Sequence, residues 1–448
     1  MEGSAEGAVE GAAVAGDFVQ LGATRDGLDP YLDCARRRSL RAVLVETPAY
    51  LRWRRLLGRR PFDLEIGVEE PQDPEQVRKA LADAQVRPVL LLSGFERYVY
   101  AGFALAQSLR TLPWPSVGEE FRPLDKHELR TAVREVAGHL PQPRQQLLGP
   151  SADEGDAGEE AEELGYPQVI KPVDGGGGLG VFLVQGAEER RDALRHIERL
   201  ANYGGGAFTG VIAEEFVKGP EVSLQGVAHD GNAVLLSVCE KFTAVEDGTE
   251  GGTEGEPDEP AGFREVGHIA RHGSTATAEL LELTQSCVDA AGYHEGPFHI
   301  DAILGADGPV LVEMGFRLSG GALVALIERA TGLNWAELTF RVHLDGADPR
   351  ELIGTSGTAT AATAGQIRAT SEEQLAAAAG LSPAGCSLDI VPAGPAPSAA
   401  GLTDDERTTL ASDIARHGGS VGRVVVTSDQ GGDVRSVLSF LADNRRRA

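Results

Sequence analysis

Phe298-His299-Ile300-Asp301-Ala302-Ile303-Leu304, a turn over Gly305–Pro309, and Val310-Leu311-Val312-Glu313-Met314-Gly315-Phe316-Arg317 form the most informative stretch of this 448-residue chain. Apolar and polar residues alternate with period two on both sides of the turn, which predicts a β-hairpin centred on Asp307. In that register one face carries Phe298, Ile300, Ala302, Leu304, Val310, Val312, Met314 and Phe316, all apolar. The other carries His299, Asp301, Glu313 and Arg317, with Ile303 and Leu311 near the turn. A one-residue slip would bury the charges, so the pattern fixes the pairing. Asp301 then stands opposite Glu313. Two carboxylates roughly 5 Å apart repel, and a hard divalent cation is one remedy. The alternative is a solvated face on which Arg317 pairs with one of them.

Upstream lies Ile170-Lys171-Pro172-Val173-Asp174-Gly175-Gly176-Gly177-Gly178-Leu179-Gly180-Val181. Gly175, Gly177 and Gly180 satisfy GxGxxG, yet Val181–Val184 reads as a strand where a dinucleotide-binding turn needs a helix. No Gly-Lys-Ser/Thr closes the loop, which excludes a Walker motif. Strand, glycine loop, strand remains: a hairpin whose bare N–H groups can close over phosphates, with Lys171 beside it. An ordinary surface turn is the other reading. Only five of the 41 basic residues are lysine (Lys79, Lys126, Lys171, Lys218 and Lys241). Each therefore points mildly to a site that wants a compact ammonium.

The net charge of −27 argues against a nucleic-acid binder and against a polybasic membrane-surface protein. Fourteen acidic residues sit in two stretches, 151–163 and 246–259, neither of which contains Lys or Arg. The first reads as a solvated surface loop. The second reads either as a mobile loop that favours cationic substrates or as an inert polar insertion. No apolar run approaches the ~20 residues of a membrane span, and the acidic first residues do not form a secretory n-region. Cys34, Cys239, Cys287 and Cys386 have no metal spacing, so core thiols in a reduced, cytoplasmic protein are expected.

Residues 1–16 read as a disordered tail. Strands over Arg41–Glu46 and Val86–Ser93 alternate with helices over Asp73–Ala84 and Tyr98–Leu109, predicting a small open parallel sheet. Residues 121–149 read as a helix ended by Leu140-Pro141-Gln142-Pro143, and 187–202 as another. Strand-like runs follow over 211–217, 221–228 and 233–242, then a helix over 275–291, the hairpin, and two more helices. Arg36–Arg60, with nine arginines, reads as a solvated helical face. The remainder ends in a strand over Val421–Ser428 and a helix.

In this order the pieces resemble the ATP-grasp superfamily, and more narrowly its carboxylate–amine ligases of the L-amino-acid or dipeptide type. The resemblance implies an α/β (α+β) fold: an N-terminal open parallel domain (17–122), ATP-grasp lobe A (123–217), lobe B with the metal and substrate site (218–349), and a small C-terminal α+β domain (350–448). It implies that Lys126, Lys171 and the loop glycines Gly175, Gly176, Gly177, Gly178 and Gly180 hold the phosphates of ATP. Glu214, Glu215, Phe216 and Val217 would meet adenine, and Glu221 the ribose. Asp301 and Glu313 would hold one or two Mg²⁺, for which Mn²⁺ can substitute.

Arg317, with Ser319, Gly320 and Gly321, falls where the family holds a substrate carboxylate or the acyl phosphate. Glu265-Val266-Gly267-His268 resembles a substrate motif, with Glu265 near the amine and His268 near the reacting carboxyl. Lys241 and His299 would face the γ-phosphate. The chain departs from the family at Gly315, where Glu-x-Asn-x-Arg usually supplies Asn to a second magnesium; water then replaces that ligand, or one metal is held more loosely. The implied activity joins an amino-acid carboxylate to the amine of an amino acid or short peptide through an acyl phosphate, releasing ADP and phosphate, in a homodimer. Two alternatives stand beside it: a carboxylase that forms carboxyphosphate, and a degenerate nucleotide-binding regulator with Gly315 as the lesion.

Overall fold

The computed structural model describes residues 16–114, 116–119, 121, 123–148, 164–200, 202, 207–246, 262–355, 363–393, 402–404, 407, 420–428 and 432–443. The expectations for the first fifteen residues, for 151–163 and for 247–259 lie outside the described residues.

Four strands, β1 (Asp17–Leu21), β2 (Arg41–Glu46), β3 (Leu64–Gly67) and β4 (Pro88–Ser93), form a parallel sheet in the order β3-β2-β1-β4. They are nearly continuous apolar runs because both faces are covered. Phe18, Leu44, Leu90 and Leu92 enter one core, and Val19, Val43, Val45 and Leu91 another. Helix starts are written locally: Thr47 caps Pro48–Leu56 and Asp73 caps Pro74–Asp83, each with proline just inside. Arg36–Arg60 is not one solvated helical face. It contains the end of one helix, β2 and the whole of the helix Pro48–Leu56, and Arg54 is buried, pairing with Asp29 at 2.8 Å.

The second sheet has twelve strands. These are β5 (Gln145–Leu148), β6 (Gln168–Pro172), β7 (Phe182–Val184), β8 (Val211–Glu215), β9 (Glu221–His229), β10 (Asn232–Glu246), β11 (Gly262–His272), β12 (Gly296–Gly305), β13 (Gly308–Gly315), β14 (Thr363–Ala369), β15 (Ser387–Pro392) and β16 (Gly422–Ser428). The main path runs β13-β12-β9-β10-β11-β7-β6-β8-β5, and β14 joins the side of β11 and leads on to β16 and β15. Among the described residues the join between β11 and β7 is a single pair, Gly262 with Phe182.

The helix expected over 121–149 is shorter, Lys126–Val136, because its prolines break it and Gln145–Leu148 pairs with β8 as a strand. Its apolar face, Leu129 and Val133, packs with Val222, Leu224, Leu283, Phe298 and Ile300. A separate core of Leu148, Ile170, Phe182, Val211 and Ala213 lies under the glycine loop. Lys126 and the glycine loop therefore reach the cleft from opposite walls. No helix among the described residues is long and apolar enough to cross a membrane.

The helix Trp335–Asp345 ties the two sheets together, its Trp335 indole donating to the Gly226 carbonyl at 3.0 Å. It also carries His343, whose two ring nitrogens are buried without a hydrogen-bond partner among the described residues. Burial pushes the His343 imidazole down to about 4. The folded value lies below the unfolded one of about 6.5, so the unfolded chain takes up the proton first. The stability this group contributes is complete above pH ~6.5 and is lost as the pH falls toward 4, roughly 3 kcal/mol in all. Denaturant unfolding at pH 7, 5 and 4 checks this: His343→Leu should lose distinctly less stability across that window than the parent chain.

Candidate nucleotide and metal site

The hairpin forms with His299 opposite Gly315, Ile300 opposite Met314 and Asp301 opposite Glu313. Toward the turn the expected register fails. Ala302 pairs with Leu311, leaving Val312 as the extra residue of a bulge, so Leu311 is buried and Val312 is half-buried. The faces of these two residues are thus exchanged relative to the alternation. The cause is Arg130, with only 1% of its side chain exposed. Its guanidinium donates from Nε to the Leu311 carbonyl at 3.0 Å and from Nη2 to the Val312 carbonyl at 2.8 Å. A bulge that re-aims a carbonyl for such a partner leaves no mark in hydrophobic periodicity.

Arg317 does not neutralise the paired carboxylates. Its Nε lies 2.6 Å from Glu96, which brings the segment after β4 to the site. Lysines do the neutralising. The ammonium of Lys241 is 2.7 Å from Asp301, 2.5 Å from Glu221 and 3.5 Å from Glu265. That of Lys126 is 2.9 Å from Glu313. Asp301 also accepts from the Ser223 hydroxyl at 2.5 Å. Burial opposes the charge of Glu313, but Lys126 outweighs it and holds the carboxyl down at about 2. Burial likewise opposes the charge of Lys241, yet Asp301, Glu221 and Glu265 hold its ammonium well above the usual lysine range. Burial, only partly offset by Lys241, pushes Glu221 up. Asp301, Glu313 and Glu221 offer oxygen donors only, the set a hard divalent ion takes, so the residues present fit Mg²⁺.

Asp125 caps the helix Lys126–Val136 through a capping box with Glu128, so Lys126 sits in its first turn. Its ammonium also donates to the Gly175 carbonyl at 2.5 Å, across the cleft. Lys171, on β6, is buried. Burial and the nearby Arg130 and Lys126 push its ammonium well below the usual range, and Glu214 faces it at 2.9 Å. The other Glu214 oxygen pairs with Arg130, so this carboxylate is shared between two buried cations. Glu215 is half-buried and pairs with Arg144 at 3.2 Å. The Phe216 and Phe263 rings lie within 18° of parallel, with centroids 6.4 Å apart. In the glycine loop, Gly177, Gly178 and Gly180 have φ of 61°, 80° and 73°, a conformation that favours glycine.

At Gly315 a Cβ atom would lie 2.2 Å from Cε1 of His299. The imidazole, held by a 3.1 Å contact from Nδ1 to the Arg317 carbonyl, fills the space in which any side chain at 315 would start. Beyond Arg317, the Gly321 carbonyl accepts from Gln366 at 2.7 Å, and the Ala322 N–H donates to Asp26 at 3.0 Å. Ser319 and Gly320 lie in this turn. His268 is buried on β11, 3.5 Å from Glu265. Burial works against the Glu265 charge, but His268 and Lys241 hold its carboxyl well below the usual range. Glu96, Ser223 and Gln366 are the participants that the sequence did not single out, and Arg130 enters it only as part of the helix opened by Asp125 and Lys126, the segment that resembles the family's source of the first ATP lysine. Arg130 had one signal, its place four residues after Lys126 on the buried side of an otherwise polar helix; the others had none.

Two lysines, a glycine loop and a carboxylate pair on one cleft now coincide with a family match: residues 125–321 match the description "ATP-grasp domain". The chain carries an ATP-grasp domain. Dapdiamide A synthase of Enterobacter agglomerans is 25% identical over 199 residues, covering 44% of this chain and 41% of that protein. An L-arginine-specific L-amino acid ligase of Bacillus subtilis is 25% identical over 190 residues, covering 41% of each. The matched segments thus span about two-fifths of those relatives' length. The crystal structure of an L-amino acid ligase from Bacillus licheniformis superposes with a TM-score of 0.65 at 19% identity, covering 96% of this chain and 98% of that one. The whole described chain therefore has the ATP-grasp fold, and the Bacillus subtilis relative is named as an L-amino acid ligase.

Proposed function

We propose that the protein is an ATP-dependent carboxylate–amine ligase that joins an amino acid to the amine of another amino acid or a short peptide. The observation that carries this reading is the Asp301–Glu313 pair, neutralised by Lys241 and Lys126 and facing a glycine loop across the cleft. A carboxylate oxygen of the first substrate attacks the γ-phosphorus of ATP, the bond to the β-phosphate oxygen breaks, and ADP leaves. The amine nitrogen of the second substrate then attacks the acyl carbon, inorganic phosphate departs, and the amine proton is lost to a base.

The chain's part is positioning and charge. Lys126 and Lys171 hold phosphate oxygens, and the glycine loop closes over them and keeps water from the acyl phosphate. Arg317 orients the carboxylate, while Glu265 and His268 receive the amine side. Asp301 and Glu313 would hold Mg²⁺, which supplies positive charge to the phosphates.

Phosphate and ADP release measured over pairs of amino acids and short peptides, with mass spectrometry of the products, tests the proposal. At least one pair should give ADP, phosphate and an amide in equal amounts. Tight ATP binding without turnover on any pair would instead indicate the regulator, and bicarbonate-dependent turnover the carboxylase.

A further inference from the structure

We propose that His299 is a metal ligand: its Nε2 and the free oxygen of Glu313 form a second cation position, next to the Asp301–Glu313 pair, that takes a transition-metal ion such as Mn²⁺ in preference to Mg²⁺. This rests on the nucleotide and metal reading of the cleft and adds a ligand and a class of ion to it.

The tautomer of the imidazole is decided by its neighbour. Nδ1 lies 3.1 Å from the Arg317 carbonyl, and a carbonyl oxygen can only accept, so the hydrogen of the neutral ring sits on Nδ1. The lone pair is then on Nε2. A ring that donates one N–H to a backbone carbonyl and keeps its other nitrogen bare is arranged as metal-binding histidines are, because the carbonyl fixes the ring and raises its basicity. Nε2 has no hydrogen-bond partner among the described residues. Although the residue as a whole is buried, this nitrogen is not sealed from solvent.

The strand opposite is cleared for the ring. His299 pairs with Gly315, where a Cβ would stand 2.2 Å from Cε1 and 2.6 Å from Nε2. Gly315 is not one of the glycines with left-handed backbone. Its conformation would therefore admit a side chain, and the imidazole alone demands glycine.

Glu313 supplies the second donor. The cross-strand pairs His299–Gly315 and Asp301–Glu313 share one face of the hairpin, so His299 and Glu313 are diagonal neighbours, a separation that long side chains span. They are close enough for His299 to help hold the Glu313 carboxyl down. Lys126 takes only Oε2 of Glu313, at 2.9 Å, and Oε1 has no partner among the described residues. One imidazole nitrogen and one carboxylate oxygen thus stand open side by side. Mg²⁺ keeps to oxygen donors, whereas a set containing imidazole favours transition ions. Phosphate oxygens and water would complete the shell.

The test uses the full chain. ADP binding is measured first, so failure of the nucleotide reading is seen on its own. Mn²⁺ is then titrated with and without ADP, since both donors belong to the protein. Electron paramagnetic resonance of bound Mn²⁺ should show coupling to a ring nitrogen that changes when histidine is labelled with ¹⁵N. By competition Mn²⁺ should bind about tenfold more tightly than Mg²⁺. In His299→Phe, which keeps a ring and removes its nitrogens, the coupling should vanish and the Mn²⁺ affinity fall about tenfold or more, while Mg²⁺ affinity holds. His299→Gln should lose the coupling likewise, and it decides the matter if the first variant does not fold. No nitrogen coupling in the parent, coupling that survives in the variants, or an equal loss of Mg²⁺ and Mn²⁺ affinity would overturn the proposal.

Discussion

Asp301→Asn is expected to lower ADP formation by about a hundredfold to a thousandfold while the protein stays folded. The substitution keeps the shape of a side chain that is 12% exposed, and the Ser223 hydroxyl can still donate to the remaining oxygen. Lys241 loses its 2.7 Å contact but keeps Glu221 and Glu265, so no buried cation is left unpaired. What disappears is one negative charge opposite Glu313, on the face where the phosphates of ATP would be held. Glu313→Gln should behave alike, with the difference that Lys126 then keeps no carboxylate partner among the described residues. ADP release and ATP binding measured side by side check this. Activity within about tenfold of the parent in both variants would show that the carboxylates serve the fold alone.

Arg130→Met should cost roughly 3–5 kcal/mol of stability, the size seen when one partner of a buried ion pair is removed. Four acceptors depend on this guanidinium: Glu214, the Leu311 and Val312 carbonyls, and Gln145 at 3.3 Å. Burial already pushes Arg130 down to about 9, which measures how poorly the interior tolerates the charge. Methionine matches much of its length and none of its donors. Two carbonyls at a bulge and one carboxylate then stay buried without it, though Lys171 still faces Glu214. Denaturant unfolding of Arg130→Met, Glu214→Gln and the double variant gives the coupling energy. The double variant should be less damaged than the sum of the singles, because the orphaned carboxylate is gone. A loss below about 1 kcal/mol in Arg130→Met would show that the bulge holds itself.

The legible parts of this protein are those in which a local pattern has one physical meaning. Alternation between Phe298 and Phe316 allowed a single pairing for Asp301 and Glu313, and the scarcity of lysine drew notice to Lys126, Lys171 and Lys241. The bulge at Val312 was illegible because its cause, Arg130, lies some 180 residues earlier. Glu96 and Gln366 were illegible for the same reason: a loop glutamate and a strand glutamine acquire meaning only when another segment arrives. The attachment of β14 to β11 was equally hidden, since a strand's residues say that it will pair but not with which edge. Gly315 departs from the Glu-x-Asn-x-Arg pattern, and the structure supplies its local reason in the His299 ring.

The single rung between Gly262 and Phe182 bears on how the two walls of the cleft can move. A sheet that is continuous through many bonds bends as a plate, whereas one fastened at a point folds like a leaf on its spine. Here the spine falls between the wall that carries the glycine loop and the wall that carries Asp301 and Glu313. Opening the cleft would part this pairing and leave both cores intact, so the resistance to it lies in the side chains that span the cleft, Lys126 on the Gly175 carbonyl and Arg130 between Glu214 and the hairpin.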